Sequence, residues 1–441
     1  MISRKEALKT WLKIGLLSFG GPAGQIALMH KILVEEKNWI SESRFLHALN
    51  YCMLLPGPEA MQLATYIGWL LHKTWGGIVA GLLFILPGFL LMMCLSAVYA
   101  AYHDVPLVAA LFFGLKSAVL VLVAEAVIRI GKKSLHNAVL KLLAAVSFIS
   151  LFFFGIPFPL IILAAGIIGF AGSKYAPKIF TLKAQQEGKD GGAKSVIDKM
   201  LDNGALAHTR PDEAHAIKTL LIWSFLWFAP VFACLGVFGP ENVFTHIGFF
   251  FSKMAVVTFG GAYAVLAYVA QQAVEQYHWL TAGDMLNGLG LAETTPGPLI
   301  LVLQYVGYLA AFTSGGHLAG MAGALLAVWV TFAPCFLWIF LGAPYIEQIR
   351  ANKSLTSALS AITAAVTGVV LNLAVWFALH VLFGKVATSD FHGLKLYTVS
   401  SPDPAAAALA LLAAFCTFRL KWGIPAVLGL CATLGMAIKL I

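Results

Sequence analysis

The chain has 441 residues, 60% of them apolar and 11% charged, with a formal net charge of +9 from 29 Lys and Arg against 20 Asp and Glu. Soluble domains carry about 25% charged residues because their surfaces face water, so this composition argues against a soluble protein. It also argues against a nucleic-acid binder, whose basic residues cluster on one solvated face. The charges here sit in short stretches between long apolar runs, as loop charge does in a polytopic membrane protein. Six cysteines lie within apolar runs with no C-x-x-C pair, so neither a disulfide framework nor a zinc site is expected.

In chain order, runs long enough for a bilayer core of roughly 20 residues fall at 7–29, 45–71, 76–101 and 106–129, then at 219–238, 246–270, 285–312, 318–342 and 356–382. Two longer runs, 138–171 and 405–439, each read as a helical hairpin turning at a Gly-Ile-Pro, Gly155-Ile156-Pro157 and Gly423-Ile424-Pro425. The total is thirteen spans.

The chain repeats itself at a spacing of 240 residues. Ser18-Phe19-Gly20-Gly21 matches Thr258-Phe259-Gly260-Gly261, and Lys13, Trp39 and Pro56-Gly57-Pro58 match Lys253, Trp279 and Pro296-Gly297-Pro298. Further on, Pro87 pairs with Pro334 and the two Gly-Ile-Pro turns pair with each other. Four segments follow: an N-terminal membrane repeat over 1–172, a charged linker over 173–218, an extra transmembrane helix over 219–238 and a C-terminal repeat over 239–441. The linker holds 8 Lys or Arg and 6 Asp or Glu and is expected to be solvated and at least partly disordered.

Lys and Arg in short loops set orientation. Arg4, Lys5 and Lys9 place the N-terminus inside, and the linker follows six spans later on the same side. The extra helix then inverts the second half, which brings Arg350, Lys353, Arg419 and Lys421 inside and the C-terminus outside. The expected fold is therefore an all-α polytopic membrane protein with two inverted-topology repeats of about six helical segments each. Secondary transporters recurrently use this construction, with the substrate near the midplane.

Gly and Pro interrupt the first two runs at Ser18-Phe19-Gly20-Gly21-Pro22 and Leu55-Pro56-Gly57-Pro58-Glu59, and their repeat mates lie at 258–261 and at Thr294-Thr295-Pro296-Gly297-Pro298. Such breaks are tolerated at membrane depth only where buried in protein or lining a cavity. Each starts a half-helix whose N-H groups and dipole suit an anion. Ser18, Thr258, Thr294 and Thr295 are expected to offer hydroxyl donors, with Gln25, Gln62 and Gln304 as amide donors. The competing explanation is that the Gly and Pro residues only permit packing and kinks.

Six ionisable residues fall inside or near the spans: Lys13, Glu59, Lys116, Glu125, Lys253 and Glu293. Intramembrane charges are functional candidates by default. Lys13 and Lys253, five residues before each first break, suit either neutralisation of an anion or snorkelling to an interface. Glu59 suits a helix cap or a proton carrier, Glu293 is the equivalent proton candidate in the second half, and Glu125, aligned with Asn372, suits interhelical hydrogen bonding or proton coupling. No P-loop, H-E-x-x-H, G-x-S-x-G or complete dinucleotide fingerprint is present, and no cofactor or metal is expected.

The duplicated S/T-F-G-G and P-G-P elements, followed by a Pro-bearing third span, resemble the chromate ion transporter family in its long-chain, two-domain form. The resemblance implies a carrier driven by the proton motive force that exports chromate across the bacterial inner membrane and confers resistance, with sulfate as the look-alike anion. The partners implied are chromate with sulfate as its look-alike, protons and the lipid bilayer; nucleic acid is not among them. One departure is that Gly20-Gly21-Pro22 reads Gly260-Gly261-Ala262 in the second half. Other readings are a sulfate or molybdate carrier that takes chromate by mimicry, an anion channel, and a membrane-embedded enzyme.

Overall fold

The computed structural model describes residues 2–175, 194–259, 262–346, 353–391 and 394–440. Arg350 and residues 176–193 of the linker lie outside them, and with those residues the expectation of linker disorder. The elements are α1 (Arg4–Leu17), α2 (Gly21–His30) running into a π turn (Lys31–Glu36), α3 (Glu42–Cys52), α4 (Glu59–Tyr102), α5 (Pro106–Ser134), α6 (Ala138–Phe152), α7 (Phe158–Tyr175) and α8 (Val196–Asp202). Then come α9 (Glu213–Phe238), α10 (Val243–Val257), α11 (Ala262–Gln271), α12 (Ala282–Thr294), α13 (Val302–Gly342) and α14 (Lys353–Leu382). An antiparallel hairpin of β1 (Phe383–Phe391) and β2 (Leu394–Pro402) precedes α15 (Pro404–Ala414) and α16 (Ile424–Leu440). Among the described residues six helices are long and apolar enough to cross a membrane, and four more apolar helices have 10–17 residues. The chain is a multi-pass membrane protein with an essentially helical architecture. The β-hairpin adds to the expected plan; its strands are polar, so a search for apolar runs passes over them.

The longest helices are each two limbs joined at a reversal. In α4 the helix breaks at His72 and Lys73, where Lys73 has φ +55°, and in α13 it breaks at Gly315 and Gly316, where Gly316 has φ +65°. The limbs fold back so tightly that Gly68 lies against Gly76 and Gly307 against Gly323.

Two compact units each draw on both halves of the sequence. One contains α1–α3, α4 as far as Cys94, the described linker from Lys194, α9, α10 and α13. Here the expectation of a single crossing over 7–29 fails. Lys37 pairs with Glu6 at 3.0 Å, Lys13 with Glu36 at 3.9 Å, and the Trp11 and Trp39 rings sit 6.5 Å apart. The start of α1 thus lies beside the end of the π turn, and the two half-helices enter and return on one side. Fourteen residues of α1 span about 21 Å, less than the roughly 30 Å hydrocarbon core, so a fold-back at the break suits them. The run 45–71 behaves alike: the Tyr51 and Tyr66 rings are 6.0 Å apart across the break. Its outer ends are both tied to the linker. Val196 and Ile197 donate N-H bonds to the Asn38 and Trp39 carbonyls, Arg44 pairs with Asp198 at 2.5 Å, and a His208 ring nitrogen lies 3.0 Å from the Trp69 carbonyl.

Within the same unit α9 leads away from the linker end and α10 returns antiparallel to it, with Trp227 donating to Ser252 at 3.1 Å and the Phe232 ring 6.2 Å from Phe249. Half-helix α10 therefore approaches from the end opposite to α1. This is the inversion expected from the loop charges.

The second unit holds the end of α4, α5–α7, α11, α12, α14, the β-hairpin, α15 and α16. The expected hairpins appear as α6 with α7 and α15 with α16, turning near Gly155 and Gly423. α7 packs along α14, with Ser173 bonded to Ser354 and Gly169 against the Ser357 carbonyl, while α16 packs on α5. α5 and α14, repeat mates by the alignment of Glu125 with Asn372, touch through Ser134 and Thr367 hydroxyls 2.8 Å apart.

Candidate transport site

Two interruptions meet in the first unit from opposite directions. The Gly57 N-H donates to the Thr258 carbonyl at 2.8 Å, and the Gly297 N-H donates to the Ser18 carbonyl at 2.8 Å. Since Ser18 and Thr258, like Gly57 and Gly297, are repeat mates, the two bonds are equivalent under the repeat. Each joins the F-G-G break of one half to the P-G-P break of the other. Both glycines adopt left-handed backbone, φ +117° at Gly57 and +95° at Gly297, a region that costs other residues about 1–3 kcal/mol.

Gln25, 1% exposed, joins the tips by donating to the Gly297 carbonyl at 2.6 Å and to the Ser18 carbonyl at 3.4 Å. Gln62 donates to the Pro56 carbonyl at 2.7 Å and Gln304 to the Phe89 carbonyl at 2.9 Å. Exposed polar backbone at a break must find partners in a medium without water, and Gln25 and Gln62 provide them, while Gln304 ties its helix to the middle of the long limb of α4.

The hydroxyl donors expected for an oxyanion are spent elsewhere. Ser18 donates to the Ile14 carbonyl at 2.6 Å, Thr258 to Met254 at 2.5 Å and Thr294 to Leu291 at 2.8 Å. A hydroxyl has one proton to give, and mid-membrane Ser and Thr commonly give it to the preceding turn. Thr295 is buried at 4% exposure. The N-H groups of Gly57 and Gly297 are likewise occupied, which corrects their expected role as open anion donors.

What stays open is the start of α2. A side chain at Gly20 or Gly21 would meet nothing within 4 Å, and both have left-handed φ. Pro22 is the second residue of α2; Pro58 stands just before α4, and Pro298 just before a 3-10 turn (Leu299–Leu301) that leads into α13. Gly260 and Gly261 lie outside the described residues. Pro296 through Pro298 are buried, whereas Pro56 and Pro58 are half-buried. Glu59 opens α4, where its carboxylate complements the helix dipole. Lys13 and Lys253 are exposed, and Lys13 has Glu36 as its partner.

The second unit holds an acidic cluster. Glu293, 8% exposed in the last turn of α12, accepts the phenol proton of Tyr263 from α11. Glu125 and Arg129 of α5 lie close enough to act electrostatically on both. Two of the expected proton candidates, Glu125 and Glu293, are thus brought together with one cation. Tyr263 and Arg129 were missed, and Tyr263 had no signal in the repeat because Ala23 stands at its equivalent position.

The chromate transporter family model matches residues 5–170 and 245–436. The chain is 28% identical over 379 residues to the chromate transport protein of Cupriavidus metallidurans, covering 84% of this chain and 82% of that one. It is 32% identical over 375 residues to the chromate transport protein of Pseudomonas aeruginosa, with 84% and 80% covered. A probable chromate transport protein of Synechococcus elongatus is 26% identical over 371 residues, with 83% of each chain covered. No solved structure matches the chain.

Proposed function

Because the chain belongs to the chromate transporter family, we propose that it exports chromate across the bacterial inner membrane by a secondary mechanism coupled to the proton motive force. The observation that carries this reading is the reciprocal pair of bonds, Gly57 to Thr258 and Gly297 to Ser18. Two inverted sets of half-helix tips joined by a few hydrogen bonds form an element that can exist in two exchanging arrangements, as alternating access requires.

The oxyanion is held at the open start of α2, by the first-turn N-H groups beyond Gly20, Gly21 and Pro22, in the positive field of that helix end. Lys13 and Lys253 draw the anion toward the tips as point charges. Pro56, Pro58, Pro296 and Pro298 fix the opposing tips, and Gln25 keeps them in register. Glu293 carries the coupling proton, with Tyr263, Glu125 and Arg129 setting its environment; Glu59 serves as a helix cap.

Uptake of chromate into everted vesicles tests this reading. Saturable uptake that a protonophore collapses is expected, with sulfate as a competing anion. Linear uptake insensitive to the protonophore would replace the carrier with a channel.

A further inference from the structure

The bond from Gly57 to Thr258 and the bond from Gly297 to Ser18 are alike in backbone but not in the side chains around them. Gln25 reaches from α2 across the second junction and donates to both the Gly297 and the Ser18 carbonyl, at 2.6 and 3.4 Å. A carbonyl oxygen only accepts, so it is the amide nitrogen of Gln25 that faces the pair. Beside the same P-G-P, Gln304 of α13 donates to the Phe89 carbonyl at 2.9 Å, one residue beyond Gly88, which lies against the Pro296 carbonyl. Gln25 and Gln304 are both buried. The bond from Gln25 to Gly297 and the bond from Gln304 to Phe89 each run from one half of the sequence to the other.

The repeat mates of these two glutamines make no such bond. Val265 stands at the position of Gln25, and its side chain has no hydrogen-bonding group. In the register of Tyr66-Ile67-Gly68 with Tyr305-Val306-Gly307, Thr65 stands at the position of Gln304. Thr65 donates to the Met61 carbonyl of its own helix at 3.0 Å. At the first P-G-P, Gln62 donates to the Pro56 carbonyl at 2.7 Å, within its own half. Its neighbour from the other half is the Cys335 sulfur, a weak partner whose proton goes to the Thr331 carbonyl of α13 at 3.6 Å. The Gly297 junction is therefore reinforced by strong side-chain donors that cross between the halves, and the Gly57 junction faces a thiol. A hydrogen bond that must break before a junction parts lowers the open population, by about tenfold for a bond at the upper end of the usual net strength.

We propose that Gln25 is a positioning residue that clamps Gly297 to Ser18 as the fixed contact of the carrier and leaves the bond of Gly57 with Thr258 as the one that opens. The clamp rests on the alternating-access reading above and deepens it, because it says which of two repeat-equivalent bonds parts. Gln25 lies about one turn beyond the open start of α2. The helix end that holds the oxyanion thus moves together with the second P-G-P, and opening at Gly57 does not dismantle it.

Hydrogen exchange at the two glycine amides tests the proposal in the full chain in lipid nanodiscs. Proline precedes glycine at three places, Gly57, Gly88 and Gly297, so labelling proline carbonyls with carbon-13 and glycine with nitrogen-15 isolates three amide signals. Gly57 and Gly297 share the context Pro-Gly-Pro, which matches their intrinsic exchange rates, and Gly88 inside α4 reports general loosening. The Gly57 amide should exchange about tenfold faster than that of Gly297. Gln25→Met, which keeps the volume and removes the donor, should raise the Gly297 rate about tenfold and leave Gly57 and Gly88 unchanged. Equal rates in the parent, or a slower Gly57, would overturn the proposal without any variant. A rise at all three glycines under Gln25→Met would make Gln25 a packing residue, and no rise at Gly297 would remove it from the junction; either result overturns the clamp. The two readings fail separately: a parent that takes up no chromate in vesicles removes the carrier, whereas the exchange rates decide the clamp.

Discussion

The backbone N-H of Gly57 reaches the carbonyl of Thr258 across 2.8 Å, and the repeat reproduces this relationship between Gly297 and Ser18. The residues are about 200 or more positions apart in sequence, yet each pair closes one polar gap that a broken helix opens in an apolar medium. Because all four groups are backbone, a side chain at Gly57 or Gly297 acts on these bonds indirectly, through the backbone conformation it permits and the space it needs.

Substitutions at these glycines should therefore act by parting the tips. A Cβ at Gly57 would stand 2.9 Å from both the Cys335 sulfur and the Gln62 amide, and at Gly297 it would stand 3.2 Å from Leu301. Gly57→Val is expected to abolish chromate transport and to destabilise the fold by at least about 1–3 kcal/mol, with Gly297→Val following it. Pro22→Ala should be milder, since Ala262 already occupies the repeat position. Transport by purified variants reconstituted at equal density checks the order; greater damage from Pro22→Ala would contradict it.

Gly88, midway along the long limb of α4, lies so close to the second P-G-P that a Cβ would meet the Pro296 carbonyl oxygen at 2.1 Å. Gly88→Ala should lower thermal stability by about 1–3 kcal/mol through overpacking. Gly429 in α16 has open space around its Cβ position, and Gly429→Ala should be neutral or stabilising by up to about 1 kcal/mol. Melting curves of the two variants in one detergent compare them directly.

Lys13→Ala and Lys253→Ala should each raise the KM for chromate by up to about tenfold, an effect that shrinks at high salt, while Lys→Arg retains part of the function. Exposure of both side chains predicts this salt dependence. Parental rates in both Ala variants at normal expression would reduce the pair to interface anchors.

The docked linker should loosen on acidification. Partial burial alone raises the Asp198 carboxyl, but hydrogen bonds from Ser195 and Arg44 outweigh it and hold the group below its ordinary range. Burial pushes the His208 imidazole down. Both shifts favour the docked form at neutral pH. Its support fades first as pH falls below the ordinary histidine range, and again as it passes through the lowered Asp198 value. A spin label at Lys199→Cys should gain mobility in that order, and Arg44→Ala should mobilise it at neutral pH at a cost of about 1 kcal/mol. A label equally rigid across the range would remove the pH latch.

Much of this plan was legible because the register 18/258 and 57/297 survives in the sequence, and a duplicated break is informative where a single one is not. Run length could not separate a crossing from a fold-back, so α1 with α2 and α3 with the first limb of α4 read as spans. The hydroxyls of Ser18 and Thr258 looked available because a sequence does not show that each points to the carbonyl four residues earlier. Glu293 was visible as a buried charge, but Tyr263 and Arg129 depend on how α5, α11 and α12 pack, and neither side of that contact follows the repeat.

The coupling claim is tested most directly in proteoliposomes that report internal pH while a chromate gradient is imposed. The parent should move protons with chromate, and Glu293→Gln, which keeps the shape and the Tyr263 partner but cannot release a proton, should lose the proton movement. Tyr263→Phe should keep it with a shifted pH profile. Chromate flux by Glu293→Gln accompanied by the parental proton signal would contradict the account.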